Sequence, residues 1–475
     1  MKIEYFGTFK LVLLFFACSM KSLFTLSEPD GLLFYIYDEG AWGNISRAAL
    51  SKRDENEILD RMRNYGAGEC MNETLGLYHT DQYQLFEVFF NRARNDCYRR
   101  TRDPAKATTF LIPYDFASDV AFFANCPKHK ELVCFQFRKC PLAQEVESML
   151  LSSYWYRRNH GHDHLLIIGM NYAMDHYILK PKCKAFISGV CKNCTKLAID
   201  DYSFLFGNNT NAIRDRGDYW HAIPFPADFH WTRRVASPFP WNYTNRTYLV
   251  SYLGSTQSHY VAARKLRQSI SYFCKLHQED CVSKTYGANG TRSTNLKRGQ
   301  DPHLLSKQSV FCFQPIGDLM TRKGLFDGIL HGCIPVVFSC LTASCMYTWH
   351  WSADLWKDIV IEFDIDEVTA KRLDPVDRLR VMMERDPEGV KLRQERLRNN
   401  AFLMQYSLDS PCDEEAKQLW PKDGALLKRD AFDVAIEHTL RCHRGVESHR
   451  PNSSAPHCWN GVLNTSVYPN YCMPA

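Results

Sequence analysis

The 475-residue chain is 45% hydrophobic and 23% charged, long enough to bury a large core and longer than one usual domain, so two domains are expected. Its 58 basic and 53 acidic residues leave a formal charge of +5 with no long single-sign run. That balance excludes the electrostatic footprint of a nucleic-acid binder and leaves small anionic ligands open.

In chain order, Lys2 and Lys10 precede an apolar run from Leu11 to Met20 closed by Lys21. The run is shorter than the roughly 20 residues a bilayer span needs. Residues 1–27 therefore read as a signal peptide, with Ala17-Cys18-Ser19 as a weak cleavage site, or, extended by Leu23, Phe24 and Leu26, as a signal-anchor. Nine Asn-x-Ser/Thr sequons, at Asn44, Asn72, Asn193, Asn208, Asn242, Asn245, Asn289, Asn452 and Asn464, are more than chance supplies. Beyond Cys18 an even 18 cysteines remain, a heavy load for a cytosolic protein, so most are expected in disulfides. Both counts point to the secretory pathway.

Leu32 to Tyr37 is a β-rich run ended by Asp38-Glu39-Gly40 and predicts a buried opening strand. Leu85, Phe86, Phe89 and Phe90 predict a helix over Tyr83 to Arg94, and Thr108 to Pro113 and Leu165 to Gly169 predict short strands. Such alternation implies βαβ units and a parallel sheet. From Asp218 to Tyr243 the prolines at 224, 226, 238 and 240 predict a crossing linker without regular structure, which ends a first lobe of residues 28–235. Tyr248 to Leu253 then restarts the alternation as a strand, with a Gly-Ser-Thr turn and a helix from His259 to Phe273, opening a second lobe of residues 236–365. Residues 366–475 read as charged helices and a tail containing Cys458, Cys472 and two sequons. Two doubly wound lobes would hold a ligand in the cleft between them, at the carboxyl ends of their strands.

The segment from Ser309 to Ser339 carries the chemistry. Val310 to Phe313 predicts a strand, Gln314 to Asp318 a turn, Thr321 to Leu330 a helix buried through Leu325, Phe326, Ile329 and Leu330, and Gly332 to Phe338 a turn into another strand. A glycine turn leading into a helix N-terminus favours phosphate, through free N–H groups and the helix dipole. Thr321, Arg322 and Lys323, expected in the first helical turn, supply a hydroxyl and two cations for a diphosphate, and Asp327 further along can accept from ribose hydroxyls. The pattern alone equally allows Arg322 and Lys323 to be solvated charges.

Gly317 to Asp327 running into Gly332-Cys333-Ile334-Pro335-Val336 resembles the signature of exostosin-like glycosyltransferases, glycosyltransferase family 47, nearest the plant xyloglucan galactosyltransferase-like branch. Further similarity falls at Thr80 to Tyr83 with Asn91-Arg92, Ala107 to Val120, Gly161 to His164, Ala222 to Pro226, Tyr347 to His350 and Asp430 to Ala435. The resemblance implies an α/β protein of GT-B type, two Rossmann-like doubly wound lobes facing across a cleft, acceptor lobe first and donor lobe second. It implies inverting transfer of galactose or a related sugar from a nucleotide-sugar donor, a UDP-sugar first, to a polysaccharide or glycoprotein glycan. No bound metal or other cofactor is required, and the setting is the Golgi membrane or lumen, with the N-terminal segment as the membrane association. Gly317, Asp318, Thr321, Arg322, Lys323 and Asp327 would line the donor site, joined by Gly254 and Ser255 of the earlier glycine turn. Where many exostosin relatives carry a second arginine this chain has Gly324, so the diphosphate would rest on Arg322 and Lys323.

Inversion needs a base for the acceptor hydroxyl and positive charge for the departing diphosphate. Asp81, Asp119, Asp163 and His164 are the candidates for the base. Asp81 equally suits a helix cap, Asp119 a turn, and Asp163-His164 the ordering of a sheet edge. His160-Gly161-His162-Asp163-His164 also offers metal-ligand types and a rival reading as a metal-dependent hydrolase. Its spacing lacks one residue of the His-x-His-x-Asp-His arrangement, which favours loop histidines. A second alternative is a non-catalytic glycan-binding ectodomain that keeps the fold. Cys191-Lys192-Asn193-Cys194 encloses a sequon and is expected as a disulfide loop, and Trp349 and His350 read either as neighbours of the sugar or as a buried aromatic hinge.

Overall fold

Short β-branched and aromatic runs separated by amphipathic stretches fold as strand–helix units. The computed structural model describes residues 31–37, 63–122, 140–170, 181–200, 220–232, 246–258, 261–284, 302–317, 320–409 and 429–444. The first half contributes β1 (Phe34–Ile36), a small hairpin of β2 (Cys70–Asn72) and β3 (Leu77–Tyr78), α1 (Leu85–Arg94), β4 (Arg100–Thr101), β5 (Thr109–Leu111) and α2 (Phe116–Phe122). It continues through α3 (Ala143–Ser152), α4 (Tyr154–Asn159), β6 (His164–Ile168), α5 (Pro181–Ser188), β7 (Thr195–Ala198) and β8 (Trp220–Ala222). Six of these strands form a parallel sheet in the order β4-β1-β5-β6-β7-β8.

The second half contributes β9 (Tyr248–Leu253), α6 (Val261–Leu276), β10 (Cys281–Lys284), α7 (Pro302–Gln308), β11 (Ser309–Gln314), α8 (Lys323–Leu330), β12 (Ile334–Val337), α9 (Ala353–Ile359) and β13 (Ile361–Glu362). Its five strands make a second parallel sheet, ordered β10-β9-β11-β12-β13. Helices α10 (Ile365–Thr369), α11 (Pro375–Arg385), α12 (Pro387–Asn400) and α13 (Ala431–Arg444) follow. The alternating βα order and parallel pairing are those expected from the sequence. One expectation is corrected: Trp220–Ala222, inside the stretch read as an irregular linker, is an edge strand paired with β7. It can pair because the first proline of that stretch, Pro224, lies beyond the N–H groups the ladder uses. The lobe boundary expected at residues 235 and 236 lies outside the described residues.

Strand alternation decides the core. In β6, Leu165 and Ile167 join a hydrophobic cluster that continues through Val250, Phe311 and Val336 of the second sheet, whereas Leu166 and Ile168 join a separate cluster with Tyr37, Phe110 and Phe186. Helix α13 then returns to the first sheet. His443 bonds Thr109 Oγ1 at 2.8 Å and Thr195 Oγ1 at 2.7 Å. Buried Arg92 pairs with Asp430 at 3.1 Å and Asp433 at 3.3 Å, while Arg99 reaches Asp96, Asp433 and Glu437.

Disulfides join Cys140 to Cys183, Cys274 to Cys281, Cys312 to Cys333 and Cys340 to Cys345, and Cys97 and Cys442 are also disulfide-bonded. The disulfide expected between Cys191 and Cys194 is absent: both are buried thiols, their sulfurs 3.0 Å apart. That is a contact distance, against about 2.05 Å for a covalent S–S bond.

Candidate functional site

In the second sheet β9 lies between β10 and β11, so the chain leaves it to one side and later returns on the other. Loops diverge at such a reversal and open a crevice at the carboxyl ends of the strands. The turn after β9 begins with Gly254-Ser255, and the turn after β11 runs Pro315-Ile316-Gly317.

Arg322 closes this crevice. Its Nε donates to Gln314 Oε1 at 2.8 Å, Nη2 donates to the Leu253 carbonyl, and the guanidinium lies 5.9 Å from the centre of the Tyr252 ring. Gly254 is what lets the guanidinium in, since a Cβ there would come within 2.6 Å of Arg322 Nη2. Gly324 serves the same group, because a Cβ at 324 would stand 3.1 Å from both Arg322 Nε and Gln314 Oε1. Glycine at 324 thus leaves the Arg322–Gln314 pair the space it occupies. Buried Arg267, on α6, ties the two turns together by donating to the Ile316 carbonyl at 3.0 Å and the Gln257 carbonyl at 2.6 Å. Ser255 is held within its turn: its carbonyl accepts from Tyr252 Oη at 2.7 Å and its Oγ from the Gln257 amide at 3.0 Å. Burial raises the Tyr252 phenol above its ordinary value against the pull of Arg322 and Arg267, so it remains a donor. The structure therefore gathers Gly254, Ser255, Gly317 and Arg322, with Tyr252, Arg267 and Gln314 as unforeseen partners; Asp318 lies outside the described residues.

Two placements differ from expectation. Helix α8 begins at Lys323, and Arg322 is its N-cap residue in an extended conformation (φ −153°, ψ 123°), without a side-chain cap. Thr321, expected in the first turn with its hydroxyl toward a diphosphate, precedes the helix, and its buried Oγ1 lies 2.6 Å from Tyr347 Oη. The Tyr347 phenol donates in turn to the Ile199 carbonyl beyond β7 at 3.0 Å, so a buried hydroxyl in need of a partner has turned Thr321 inward.

Lys323 points away from Arg322 into an ion cluster. Its Nζ lies 2.8 Å from Asp327 Oδ2 and 2.9 Å from Asp228 Oδ1. Asp228 Oδ1 also accepts from the Thr80 amide at 3.0 Å and Oδ2 meets His303 Nε2 at 3.2 Å, while Asp327 Oδ1 accepts from the Asp228 amide at 2.9 Å. Burial alone would raise the Asp228 carboxyl, yet Lys323 and His303 hold it well below the usual carboxylate range. Against its own burial, His303 is raised by Asp228, whereas burial drives His331, 2.8 Å from His303 Nδ1, well down. Asp228 was missed because proline content drew attention to Pro224 and Pro226; a carboxylate amid Ala227, Phe229 and Trp231 was the available signal.

Among the candidate bases, Asp163 and His164 are fully enclosed at the amino end of β6. Asp163 Oδ1 meets His164 Nδ1 at 2.7 Å, Oδ2 accepts from Asn159 at 2.5 Å and Arg158 at 3.2 Å, and His164 Nε2 meets Tyr37 Oη at 2.8 Å. Burial would raise Asp163, but hydrogen bonding from His164 and Asn159 lowers it. Asp119 is equally enclosed, with Oδ2 accepting from Tyr114 Oη at 2.6 Å and the Leu142 amide at 3.2 Å. Asp81 alone of the four is half-buried: it caps the short helical turn Gln82–Gln84, its Oδ1 accepting from the Tyr83 amide at 2.8 Å. The rival metal reading finds no gathered ligands. His160 is exposed on left-handed backbone (φ 50°), His162 is half-buried, and the described residues contain no group of three metal-ligating side chains. The half-buried Trp349 ring stacks with His221 at 4.1 Å and with His438 at 5.1 Å, and His350 is buried against the Ala431 carbonyl.

Two parallel sheets with a glycine-lined arginine at a strand-order reversal define an α/β protein of the class whose ligands generally bind at the carboxyl ends of the strands. The chain belongs to the exostosin GT47 family of glycosyltransferases: the Exostosin GT47 domain matches residues 31–370. It is 26% identical over 403 residues to a probable xyloglucan galactosyltransferase, GT20, of Arabidopsis thaliana, covering 81% of this chain and 62% of that protein. To the Arabidopsis probable xyloglucan galactosyltransferase GT19 it is 26% identical over 418 residues, 81% of this chain and 83% of that one. To the Arabidopsis xyloglucan-specific galacturonosyltransferase 1 it is 25% identical over 386 residues, 76% of this chain and 52% of that one. The chain therefore spans less than two thirds of the first and third of these relatives. No helix among the described residues is long and apolar enough to cross a membrane.

Proposed function

We propose that the chain is an inverting glycosyltransferase of the secretory pathway that transfers galactose or a related sugar from a UDP-sugar to a polysaccharide glycan of xyloglucan type. In this reading its two sheets are the halves of a GT-B fold, acceptor side first, working in the Golgi. The observation that carries the proposal is the Arg322 guanidinium in the reversal crevice, beside the glycine turns and the uncapped start of α8. Backbone amides and a fixed cation there suit a diphosphate.

Chemically, the acceptor oxygen attacks the anomeric carbon from the face opposite the diphosphate while Asp81 takes its proton. The bond from the anomeric carbon to the diphosphate oxygen breaks, and Arg322 with the α8 amides meets the charge that leaves. Asp81 is preferred over Asp119, Asp163 and His164 because it is the one not enclosed. It is also tied to the donor side: the Thr80 amide bonds Asp228, which pairs with Lys323, the neighbour of Arg322. Lys323 and Asp327 then shape the wall of the site, and direct diphosphate contact falls to Arg322.

The test is a thermal-shift screen against UDP, GDP and their common sugars, joined to a transfer assay on xyloglucan oligosaccharides. A ligand at 100 times its Kd stabilises by about 2.7 kcal/mol. UDP and one UDP-sugar should shift the transition and Asp81→Asn should abolish transfer while leaving the shift intact. No shift with any nucleotide, alongside glycan binding, would make the protein a non-catalytic glycan-binding ectodomain instead.

A further inference from the structure

We infer that Asp228 is a positioning residue for the transfer: it fixes the turn bearing Asp81 against the helix that starts after Arg322, and so sets the approach of acceptor to donor. The inference rests on the donor-site reading above. Five bonds of one residue carry it. The Asp228 carbonyl accepts from the Tyr78 amide at 2.7 Å, at the end of β3, and its amide donates to Asp327 on α8 at 2.9 Å. Its carboxylate takes the Thr80 amide at 3.0 Å, Lys323 at 2.9 Å and His303 at 3.2 Å. The next residue, Phe229, bridges antiparallel to Leu77. One buried residue thereby joins these elements: its backbone holds the end of β3 and Asp327 in the second turn of α8, and its carboxylate holds the Thr80 amide before Asp81, His303 on α7 and Lys323 in the first turn of α8.

The chemistry requires a carboxylate. Its two oxygens, with about four lone-pair sites, accept at once from an amide, an ammonium and an imidazolium. Asparagine offers one acceptor oxygen and would turn an NH2 group toward either Lys323 or His303. Without the carboxylate the Thr80 amide loses its partner, Lys323 keeps Asp327 alone, and the Asp81 turn is free to shift relative to α8. A displacement near 1 Å can cost about 100-fold in rate. Donor binding is spared, because Arg322 is held by Gln314 and Leu253 beside Tyr252, and none of the five Asp228 bonds involves these residues.

The experiment uses the full chain with Asp228→Asn and Asp228→Glu, reading kcat and KM on a xyloglucan oligosaccharide, the Kd for UDP by calorimetry, and Tm. Asp228→Asn should lower kcat by about 10- to 100-fold with the UDP Kd within about twofold; Asp228→Glu, which keeps the charge, should recover part of kcat. If Asp228→Asn does not fold, His303→Gln removes the imidazolium partner and should lower kcat in the same selective way. A kcat per folded molecule unchanged at lower Tm would overturn the inference, as would a UDP Kd that rises in step with the fall in kcat. Asp81→Asn run beside them separates the two readings: full activity in that variant removes the base assignment itself, whereas its inactivity with a fully active Asp228→Asn removes only the role of Asp228.

Discussion

Two polar networks lie at opposite strand ends, one at the amino end of a strand of the first sheet and the other at the carboxyl ends of two strands of the second, and their surroundings differ. At the amino end of β6, Asp163, His164 and Tyr37 are enclosed in the core, His164 stacked against Phe110, with half-buried Arg158 and Asn159 bonded to Asp163. At the carboxyl ends of β9 and β11, Arg322 reaches Gln314 and Leu253 from a half-buried position beside two glycine turns. Both contain residue types that sequence reasoning took for chemistry. Strand polarity separates them: helix N-termini and diverging loops gather at the carboxyl edge, so a charge there faces a crevice, while one at the amino edge is walled in by connections. A polar group's place along a strand says more about its role than its identity.

The sharpest way to break this contrast is Arg322→Ala. A hydrogen bond to a charged group is worth about 1.5–3 kcal/mol, so UDP-sugar affinity should fall by about 10- to 150-fold at little cost to Tm, as calorimetry would show. Unchanged affinity would remove the carboxyl-edge site. Asp163→Ala probes the other end: orphaning the His164 and Asn159 donors should cost about 1–3 kcal/mol each in stability, seen in urea melts, with kcat per folded molecule unaltered. A selective loss of kcat would instead restore Asp163 as a reacting group. Gly254→Ala is milder, displacing the guanidinium it would otherwise contact at 2.6 Å; the donor KM should rise about tenfold with kcat nearly constant.

Acid offers a further test, through stability. Burial holds His230 and His443 down to about 4, and His221 and His350 to about 3, against an ordinary 6.5. Between those values the unfolded chain binds protons that the folded chain does not, so stability is fully present above pH 6.5 and falls as pH drops toward 4. Melting temperatures across that range should decline. His303, raised by Asp228, opposes this, its own contribution being present below pH 6.5 and lost as pH rises through its folded value.

Short apolar runs bounded by polar turns, such as Leu165–Ile168, and the glycine turn before α8 made the sheets legible from the chain alone. The Ser309–Gln314 strand and the helix behind it lie close to their expected bounds. What could not be read was partnership. Nothing local told that Tyr347 would turn Thr321 inward, or that Lys323 would leave its neighbour Arg322 for a carboxylate 95 positions earlier, at Asp228. Both outcomes depend on contacts between segments far apart in sequence. Trp349 shows the same: its stacking partners, His221 and His438, lie 128 positions before it and 89 after it.

The return of α13 to the first sheet bears on how the protein is made. Arg92 and Arg99 emerge from the ribosome more than 300 residues before Asp430 and Asp433, the carboxylates that neutralise them. Until that segment is made, Arg92 lacks both carboxylates, Arg99 keeps Asp96 but lacks Asp433, and the Thr109 and Thr195 hydroxyls lack His443. Shortening the chain ahead of Asp430 should therefore destabilise the first sheet, the part synthesised first.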